Sequence, residues 1–302
     1  MTVTVLVPDE EGVTALSEIE GVRPVVYRWG QPVPAEAAEA VVLVPGGHPP
    51  AEVPWNELPN VKLVQLLVAG AEDWIDEVPD GVLLSTCRGA HGGSSAEWVV
   101  AVLLAIYRNL DDFADGRRRK LWERRTTDTL QGKRVLIVGA GDLGRHLRRR
   151  LETFDVRCTM VGATAREGVH GGGELPELLP EHDVTVLMVP LTPHTRGMVD
   201  AGFLAAMPDD AILVNVARGP VVVTDALVAE LATGRLRAAL DVTDPEPLPE
   251  GHPLWDVPGL LLTPHVGGAV SGVRQRSYAV VVRELTRYLG GELPKNLVHG
   301  EY

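Results

Sequence analysis

Residues 134–144 read RVLIVGAGDLG, an apolar run followed by three glycines in the spacing G-x-G-x-x-G. An apolar run of this kind predicts a buried strand, and the residues after it have a helical pattern. Gly139 would form the tight turn, Gly141 would let the backbone approach a pyrophosphate, and Gly144 would let the helix pack closely on the strand. The helix N-terminus would supply amide donors and a positive dipole end. The stretch therefore predicts a dinucleotide-binding βα turn.

The next predicted strand, RCTMVG, ends at Gly162. Dinucleotide-binding domains usually carry an acidic residue at this position, which accepts a hydrogen bond from the ribose 2′-hydroxyl. A carboxylate there would repel a 2′-phosphate, whereas Thr164 and Arg166 offer hydroxyl and guanidinium donors. We therefore expect NADP in preference to NAD. The alternative is that Arg166 is solvated in a loop and that the site accepts either cofactor.

Outside this stretch, two series of short apolar runs alternate with helical patterns. The first series occupies about ninety residues, and its runs are VTVLV, PVVYR, AVVLVP, VKLVQLL and GVLLSTC. The second extends from residue 134 to 265, and its runs are RVLIVG, RCTMVG, VTVLMVP, AILVNVA, RAALDV and LLLTPH. Strands separated by helices imply parallel sheets with crossovers. We predict an α/β fold with two doubly wound parallel sheets, Rossmann-like and flavodoxin-like.

Two helices are predicted outside the alternating series. SSAEWVVAVLLAIYRNL begins with Ser94 and has Glu97 three residues later, which is the pattern of a capping box. This helix is apolar nearly all round, so we expect it to be buried on several sides. The chain closes with SGVRQRSYAVVVRELTRYLGGE, a helical pattern that ends at a glycine pair.

The amino-acid composition limits the classes of partner that this protein is expected to bind. The net charge of −13 argues against bulk binding to nucleic acid or to an anionic membrane. The basic segment RRRKLWERR (117–125) is then a solvated surface or a mouth that attracts small anions, rather than a nucleic-acid patch. The apolar run WVVAVLLAIY is about half of the roughly 20 residues that a membrane span needs. With no leader-like start, we expect a cytoplasmic protein without a membrane partner.

Cys87 and Cys158 lie far apart in the sequence and belong to no CxxC or Cys/His pattern. We expect two buried thiols and no metal site.

Three polar residues follow late strands of the second series. Arg218 lies in VNVARGPVV, Glu246 in LDVTDPEPLP and His265 in LLTPHVGG. Each comes directly after an apolar strand or a short loop, so each could reach the crevice at the carboxyl ends of the sheet, where open α/β folds bind ligands. An arginine, an acid and a histidine in that crevice suit proton transfer to a bound anion.

With the glycine turn, these segments resemble the signatures of the D-2-hydroxyacid dehydrogenase family, in particular its glyoxylate and hydroxypyruvate reductases. The patterns GxGxxG, NxARGxxV, DVxxxEPL and TPHxGG occur here in that order. The upstream QLLVAGAEDWID resembles the substrate loop of that family. The resemblance covers nearly the whole chain.

The resemblance implies roles for individual residues. Arg218 would bind the substrate carboxylate and polarise the 2-oxo group, and His265 would donate or accept the proton. Glu246 would orient the imidazole of His265. The amides around Ala69 and Gly70 would complete the carboxylate site from the other domain. The implied cofactor-binding residues are Gly139, Gly141, Asp142, Leu143, Gly144, Thr164, Arg166, Pro190, Thr195, Val216, Ala217, Arg218, Asp241, His265 and Gly267, with Asp241 near the nicotinamide carboxamide.

The resemblance also implies a domain plan. Residues 1–95 and 273–302 would form a substrate domain, and residues 96–272 would form an inserted dinucleotide-binding domain. The apolar helix from Ser94 resembles the dimerisation helix of the family, so we expect a homodimer.

The predicted function is reversible reduction of a small 2-oxo acid to the D-2-hydroxy acid, with NADPH favoured over NADH. Two alternatives stay open. One is a nucleotide-sensing, corepressor-like scaffold with the same fold, because fold does not determine function. The other is a dehydrogenase of another small anion, such as formate or phosphite.

Overall fold

The computed structural model describes residues 2–47 and 49–298, and the chain divides into two compact units. One consists of Met1–His91 with Ser271–Tyr302, and the other is the continuous segment Gly92–Val270. The junctions predicted from the sequence, 95/96 and 272/273, lie within four residues of these. Residues 1, 48 and 299–302 of the predicted substrate domain lie outside the described part of the chain.

All the apolar runs predicted as strands form strands. In chain order the strands are β1 (Val3–Val7), β2 (Val22–Val26), β3 (Ala40–Leu43), β4 (Leu63–Gln65), β5 (Leu83–Ser85), β6 (Arg134–Val138), β7 (Arg157–Gly162), β8 (His170–Gly171), β9 (Val184–Leu187), β10 (Ile212–Asn215), β11 (Arg237–Leu240) and β12 (Leu260–Leu262).

The α-helices connect these strands or flank the two sheets. They are α1 (Glu10–Leu16), α2 (Gly92–Tyr107), α3 (Leu110–Arg118), α4 (Asp142–Leu151), α5 (Leu175–Leu178), α6 (Ala201–Ala206), α7 (Thr224–Ala232) and α8 (Val273–Leu289).

The first unit contains a parallel sheet in the order β2-β1-β3-β4-β5. This is the flavodoxin-like order, with its switch point between β1 and β3. One face of the sheet packs on α8, and the buried side chains of Val5, Val7 and Leu63 share a core with Val281 and Leu285. Helix α8 therefore completes the core that the first strands begin.

The second unit contains a parallel sheet in the order β12-β11-β10-β9-β6-β7-β8. The six predicted strands are all present, and β8 is a seventh that the sequence did not predict because it has only two residues, one of them glycine. The chain moves outward from β6 to β8 and then returns to β9 on the other side of β6. The switch point, and hence the expected ligand crevice, lies between β6 and β9.

Helix α2 differs from the prediction at its first turn. It begins at Gly92, two residues before Ser94. Glu97 consequently lies beyond the first turn, and its carboxylate accepts a hydrogen bond from Arg150 at 3.1 Å. The helix is buried along most of its length, as its apolar composition predicts. Within residues 2–47 and 49–298, no helix is both long and apolar enough to span a bilayer.

The two cysteines are thiols in different surroundings. Cys87 is buried as predicted, and burial raises the pKa of its thiol to about 12. Cys158 is half-buried, which corrects the prediction that both are buried. It lies near the start of β7, whereas β8 pairs only with the end of that strand and leaves the start at the sheet edge. Desolvation still raises the pKa of the Cys158 thiol to about 11.

Candidate active site

The glycine turn between β6 and α4 has no room for side chains at two of its three glycines. Gly139 has φ +122°, and a Cβ there would lie 2.3 Å from the carbonyl oxygen of Met188 at the end of β9. A Cβ on Gly144 would lie 2.0 Å from the carbonyl oxygen of Gly139. At Gly141, by contrast, no described heavy atom beyond its chain neighbours lies within 4 Å of the Cβ position. The turn is thus tight on its inner side and open at the helix N-terminus, which fits a pyrophosphate.

Arg166 reaches back from the loop after β7 to the same glycine turn. Its Nη2 donates a hydrogen bond to the carbonyl oxygen of Ala140 at 3.2 Å, and its Nη1 lies 3.0 Å from where a Cβ on Gly162 would be. Its backbone pairs with Val169 through two hydrogen bonds of 2.9 and 2.8 Å. Thr164 is exposed in the same loop. The guanidinium therefore lies beside the strand end where an acid is usual, on an ordered hairpin.

The side chains of three other predicted cofactor-binding residues, Asp142, Leu143 and Thr195, contact the protein itself. The carboxylate of Asp142 points toward α2 and toward His146 of its own helix, so at the turn Asp142 can offer its backbone amide. Leu143 is half-buried and packs against the core. Thr195 lies in the loop after β9, where its hydroxyl donates to the carbonyl oxygen of Pro190 at 2.6 Å. The Thr195 hydroxyl thus stabilises its own loop.

Arg218 is the third residue after β10 and is held by a buried asparagine. The side-chain amide of Asn215 donates to the carbonyl oxygen of Arg218 at 2.9 Å and accepts from the amide of Ala217 at 3.0 Å. Nη1 of Arg218 donates to the carbonyl oxygen of Ala217 at 2.7 Å. This role of Asn215 was not predicted from the sequence. It could have been predicted from the position of Asn215, a polar residue at the end of an apolar strand and just before a turn.

The residues on both sides of Arg218 are closely packed. Ala217 and Val216 are buried, and a Cβ on Gly219 would lie 1.8 Å from the carbonyl oxygen of Thr243. The loop that carries Arg218 is thus pressed against the loop that leads to Glu246. Any side chain at Gly219 would separate them.

His265 and Glu246 form a hydrogen-bonded pair. Nδ1 of His265 lies 2.6 Å from Oε1 of Glu246, with the two side chains 49% and 41% exposed. Because a carboxylate can only accept, Nδ1 carries a hydrogen and Nε2 faces away from the pair. His265 has φ +54°, a left-handed conformation that is uncommon outside glycine and recurs at functional sites.

Asp241 orders the loop that carries His265. Its side chain is almost fully buried and accepts three hydrogen bonds, from the Thr263 hydroxyl at 2.6 Å and from the amides of Val266 and Gly267 at 2.8 Å each. Its backbone carbonyl accepts from the amide of His265 at 2.7 Å. Asp241 was predicted to lie near the carboxamide of the cofactor, whereas its bracing of the loop on both sides of His265 was not predicted.

Replacing Asp241 with asparagine is expected to lower the free energy of unfolding by about 2–3 kcal/mol, because the new NH₂ group faces the Gly267 amide and leaves two donors opposed. Urea unfolding measures this loss. The matched control is Thr263→Val, which removes one hydrogen bond to the same carboxylate and should cost about 1 kcal/mol. Equal losses for the two variants would contradict the bracing role.

Arg218, Glu246 and His265 follow three neighbouring strands, β10, β11 and β12. Since these strands are parallel, all three side chains start from the same edge of the sheet as the glycine turn after β6. In the other unit, Ala69 and Gly70 lie in the loop after β4 and are half-buried. They stay predicted carboxylate-binding positions.

Several known proteins are similar to this chain in sequence. Residues 100–267 match the sequence model described as D-isomer specific 2-hydroxyacid dehydrogenase, NAD binding domain. The chain is 34% identical over 260 residues to a glyoxylate reductase of Thermofilum pendens, covering 80% of this chain and 76% of the relative. It is 31% identical over 253 residues to the human glyoxylate reductase/hydroxypyruvate reductase, covering 79% and 77%.

A similar solved structure is that of the D-isomer specific 2-hydroxyacid dehydrogenase from Xanthobacter autotrophicus Py2, in complex with NADPH and MES. The two structures superpose with a TM-score of 0.85 at 31% identity, covering 99% of this chain and 98% of that one. Together, the matched family model, these relatives and the shared fold show that this chain belongs to the D-isomer specific 2-hydroxyacid dehydrogenase family of NAD(P)-dependent oxidoreductases.

Proposed function

We propose that this enzyme reduces a small 2-oxo acid, glyoxylate or hydroxypyruvate, to the corresponding D-2-hydroxy acid with NADPH, reversibly. The observation that carries the proposal is the pair formed by His265 and Glu246 at 2.6 Å, held on a braced loop at the carboxyl edge of the sheet. The names of the relatives from Thermofilum pendens and human support the choice of substrate.

In this proposal His265 is the proton donor. Its Nδ1 hydrogen is engaged by Glu246, so a proton on Nε2 can pass to the carbonyl oxygen of the substrate during reduction. During oxidation Nε2 takes the proton back. Glu246 keeps the ring in one orientation throughout and stabilises the charged imidazolium before transfer.

Arg218 binds the substrate carboxylate and polarises the 2-oxo group. A guanidinium can pair with a carboxylate through two parallel hydrogen bonds, which fixes the orientation of the carbonyl carbon. Asn215 and the buried Ala217 hold the backbone of this loop, so Arg218 extends from a rigid base. The nicotinamide, when bound, supplies the hydride that the carbonyl carbon receives.

The preference for NADPH rests on Arg166 and Gly162. The strand end has no carboxylate to repel a 2′-phosphate, and a guanidinium bonded to Ala140 lies beside it. A phosphate bound there would accept charge-assisted hydrogen bonds from Arg166. The complex with NADPH of the relative from Xanthobacter autotrophicus Py2 supports the same choice.

The test is the initial rate of glyoxylate and hydroxypyruvate reduction, followed by nicotinamide absorbance with NADPH and with NADH. We expect turnover of at least one of the two acids and a clear preference for NADPH. Arg218→Ala should lose this turnover, because the substrate carboxylate loses its partner, and should retain NADPH binding through the glycine turn and Arg166.

The outcomes separate the alternatives. Turnover of formate or phosphite without turnover of any 2-oxo acid would replace the proposed substrate class. A protein that binds NADPH but turns over no small anion would instead be a nucleotide-sensing scaffold. An NADH preference would keep the enzyme and overturn the interpretation of Arg166.

A further inference from the structure

We propose that Asp142 lowers the affinity of the enzyme for its cofactor by holding a negative charge at the first turn of α4. The inference rests on the proposed function, because it requires the pyrophosphate to bind at the glycine turn between β6 and α4. The carboxylate of Asp142 would weaken cofactor binding, whereas the backbone amide of the same residue would favour it.

The carboxylate of Asp142 lies between the first turns of two helices. Its side chain is 16% exposed, and a Cβ on Gly92, the first residue of α2, would lie 2.4 Å from Oδ2. Oδ2 is inaccessible to solvent and has no hydrogen-bond partner among the described residues. A buried carboxylate oxygen without a partner costs free energy, so its presence calls for an explanation.

The two basic side chains near the Asp142 carboxylate, those of His146 and Arg145, do not form hydrogen bonds with it. Nε2 of His146 lies 3.8 Å from Oδ1 and Nη2 of Arg145 lies 4.0 Å away. Nδ1 of His146 lies 3.3 Å from guanidinium nitrogens of Arg149 and Arg150, which can only donate. Nδ1 is therefore an acceptor, and Nε2 presents its hydrogen toward Asp142 at a distance too long for a hydrogen bond.

What favours the carboxylate in this place is the positive end of both helix dipoles. Asp142 is the first residue of α4, and its Oδ2 is next to the first residue of α2. A negative charge is stabilised at a helix N-terminus. The N-terminus of α4 is also the element proposed to hold the pyrophosphate. The carboxylate and the cofactor therefore depend on the same positive potential, and the two anions repel each other.

Removing this charge should tighten cofactor binding. We expect Asp142→Asn to lower the Kd by about three- to tenfold, the effect of one unit charge acting across the first helical turn in a partly solvated site. The gain should be the same for NADPH and NADH, because the pyrophosphate is common to both. It should become smaller, without vanishing, in about 1 M salt, because partly buried charges are screened less than exposed ones.

Isothermal titration calorimetry of the full-length chain with NADPH and with NADH, at low and high salt, tests the inference. Asp142→Ser is a second uncharged variant, in case the asparagine variant folds poorly. The matched control is Glu152→Gln, which removes a carboxylate that pairs with Arg148 at 2.8 Å at the other end of α4, about 15 Å away. Its Kd should stay within about twofold of the wild-type value.

The outcomes distinguish a failure of the inference about Asp142 from a failure of the proposed function. Unchanged or weaker binding by both uncharged variants, with normal binding by the wild type, would overturn the inference alone. A gain of the same size at low and at high salt would show that the effect is structural, and would also overturn the inference. If the wild type binds neither cofactor, the proposed function fails and the inference fails with it.

Discussion

Replacing His265 with asparagine is expected to lower the rate of glyoxylate reduction by at least about a hundredfold. Asparagine can still accept a hydrogen bond or donate one to Glu246, but it has no titratable proton to deliver to the carbonyl oxygen. Binding of NADPH should stay within about twofold, because the proposed contacts of its pyrophosphate and 2′-phosphate, at the glycine turn and at Arg166, are unchanged. The measurements are the initial rate with saturating cofactor and the Kd of NADPH.

The chain contains a matched control for this variant. Nδ1 of His170 lies 2.6 Å from Oε2 of Glu174, and both side chains are 45% exposed. The Nδ1–carboxylate distance is therefore the same as in the pair of His265 and Glu246, but His170 is on β8, at the opposite edge of the sheet. His170→Asn should leave the rate within about twofold. Comparable losses in the two variants would remove His265 from its proposed role.

A change of cofactor preference is the second large expected effect. Arg166→Ala should raise the Kd of NADPH by about 10- to 100-fold, because charge-assisted hydrogen bonds to the 2′-phosphate are lost. The Kd of NADH should change by less than about threefold. Measuring both values by calorimetry gives the ratio directly.

The reciprocal variant is Gly162→Asp. The new Cβ would lie 3.0 Å from Nη1 of Arg166, which can shift because it is the end of a flexible side chain. The introduced carboxylate would pair with Arg166, repel a 2′-phosphate and accept from the ribose hydroxyl of NADH. We expect NADH to become the preferred cofactor.

Arg157→Ala is the control for both cofactor variants. Arg157 is an exposed arginine at the start of β7, about 16 Å along the strand from Gly162. Removing it changes the net charge by the same amount and should leave the preference unchanged. Equal losses for NADPH and NADH in Arg166→Ala would mean that Arg166 does not bind the phosphate.

Local patterns were sufficient to predict most of the fold. Strands such as β6 and β10 are apolar runs bounded by glycine or polar residues, and both units follow from their alternation with helices. The two-residue strand β8 was not predicted, because it forms by pairing with β7 and nothing in its own residues favours a strand. The start of α2 was misplaced because Ser94 resembles a cap, whereas the helix continues back to Gly92.

In the candidate site, too, some features were predictable from the sequence and others were not. Arg218, Glu246 and His265 were predictable because each follows a recognisable strand. The bracing by Asp241 and the contact between Asp142 and α2 were not, because each joins residues distant in the sequence. Asp142 has the same neighbours in sequence whichever way its carboxylate points, and packing of α4 on α2 decides the direction.

The division of the first unit into two chain segments affects how the protein is made. While translation proceeds through Gly92–Val270, the sheet face that bears Val5, Val7 and Leu63 has no helix from Ser271–Tyr302 to cover it. The second unit is one continuous segment and can fold on the ribosome, whereas the nascent first unit must wait with apolar surface exposed. A stop codon anywhere before α8 would therefore release a polypeptide prone to aggregate, even with the dinucleotide-binding sheet intact.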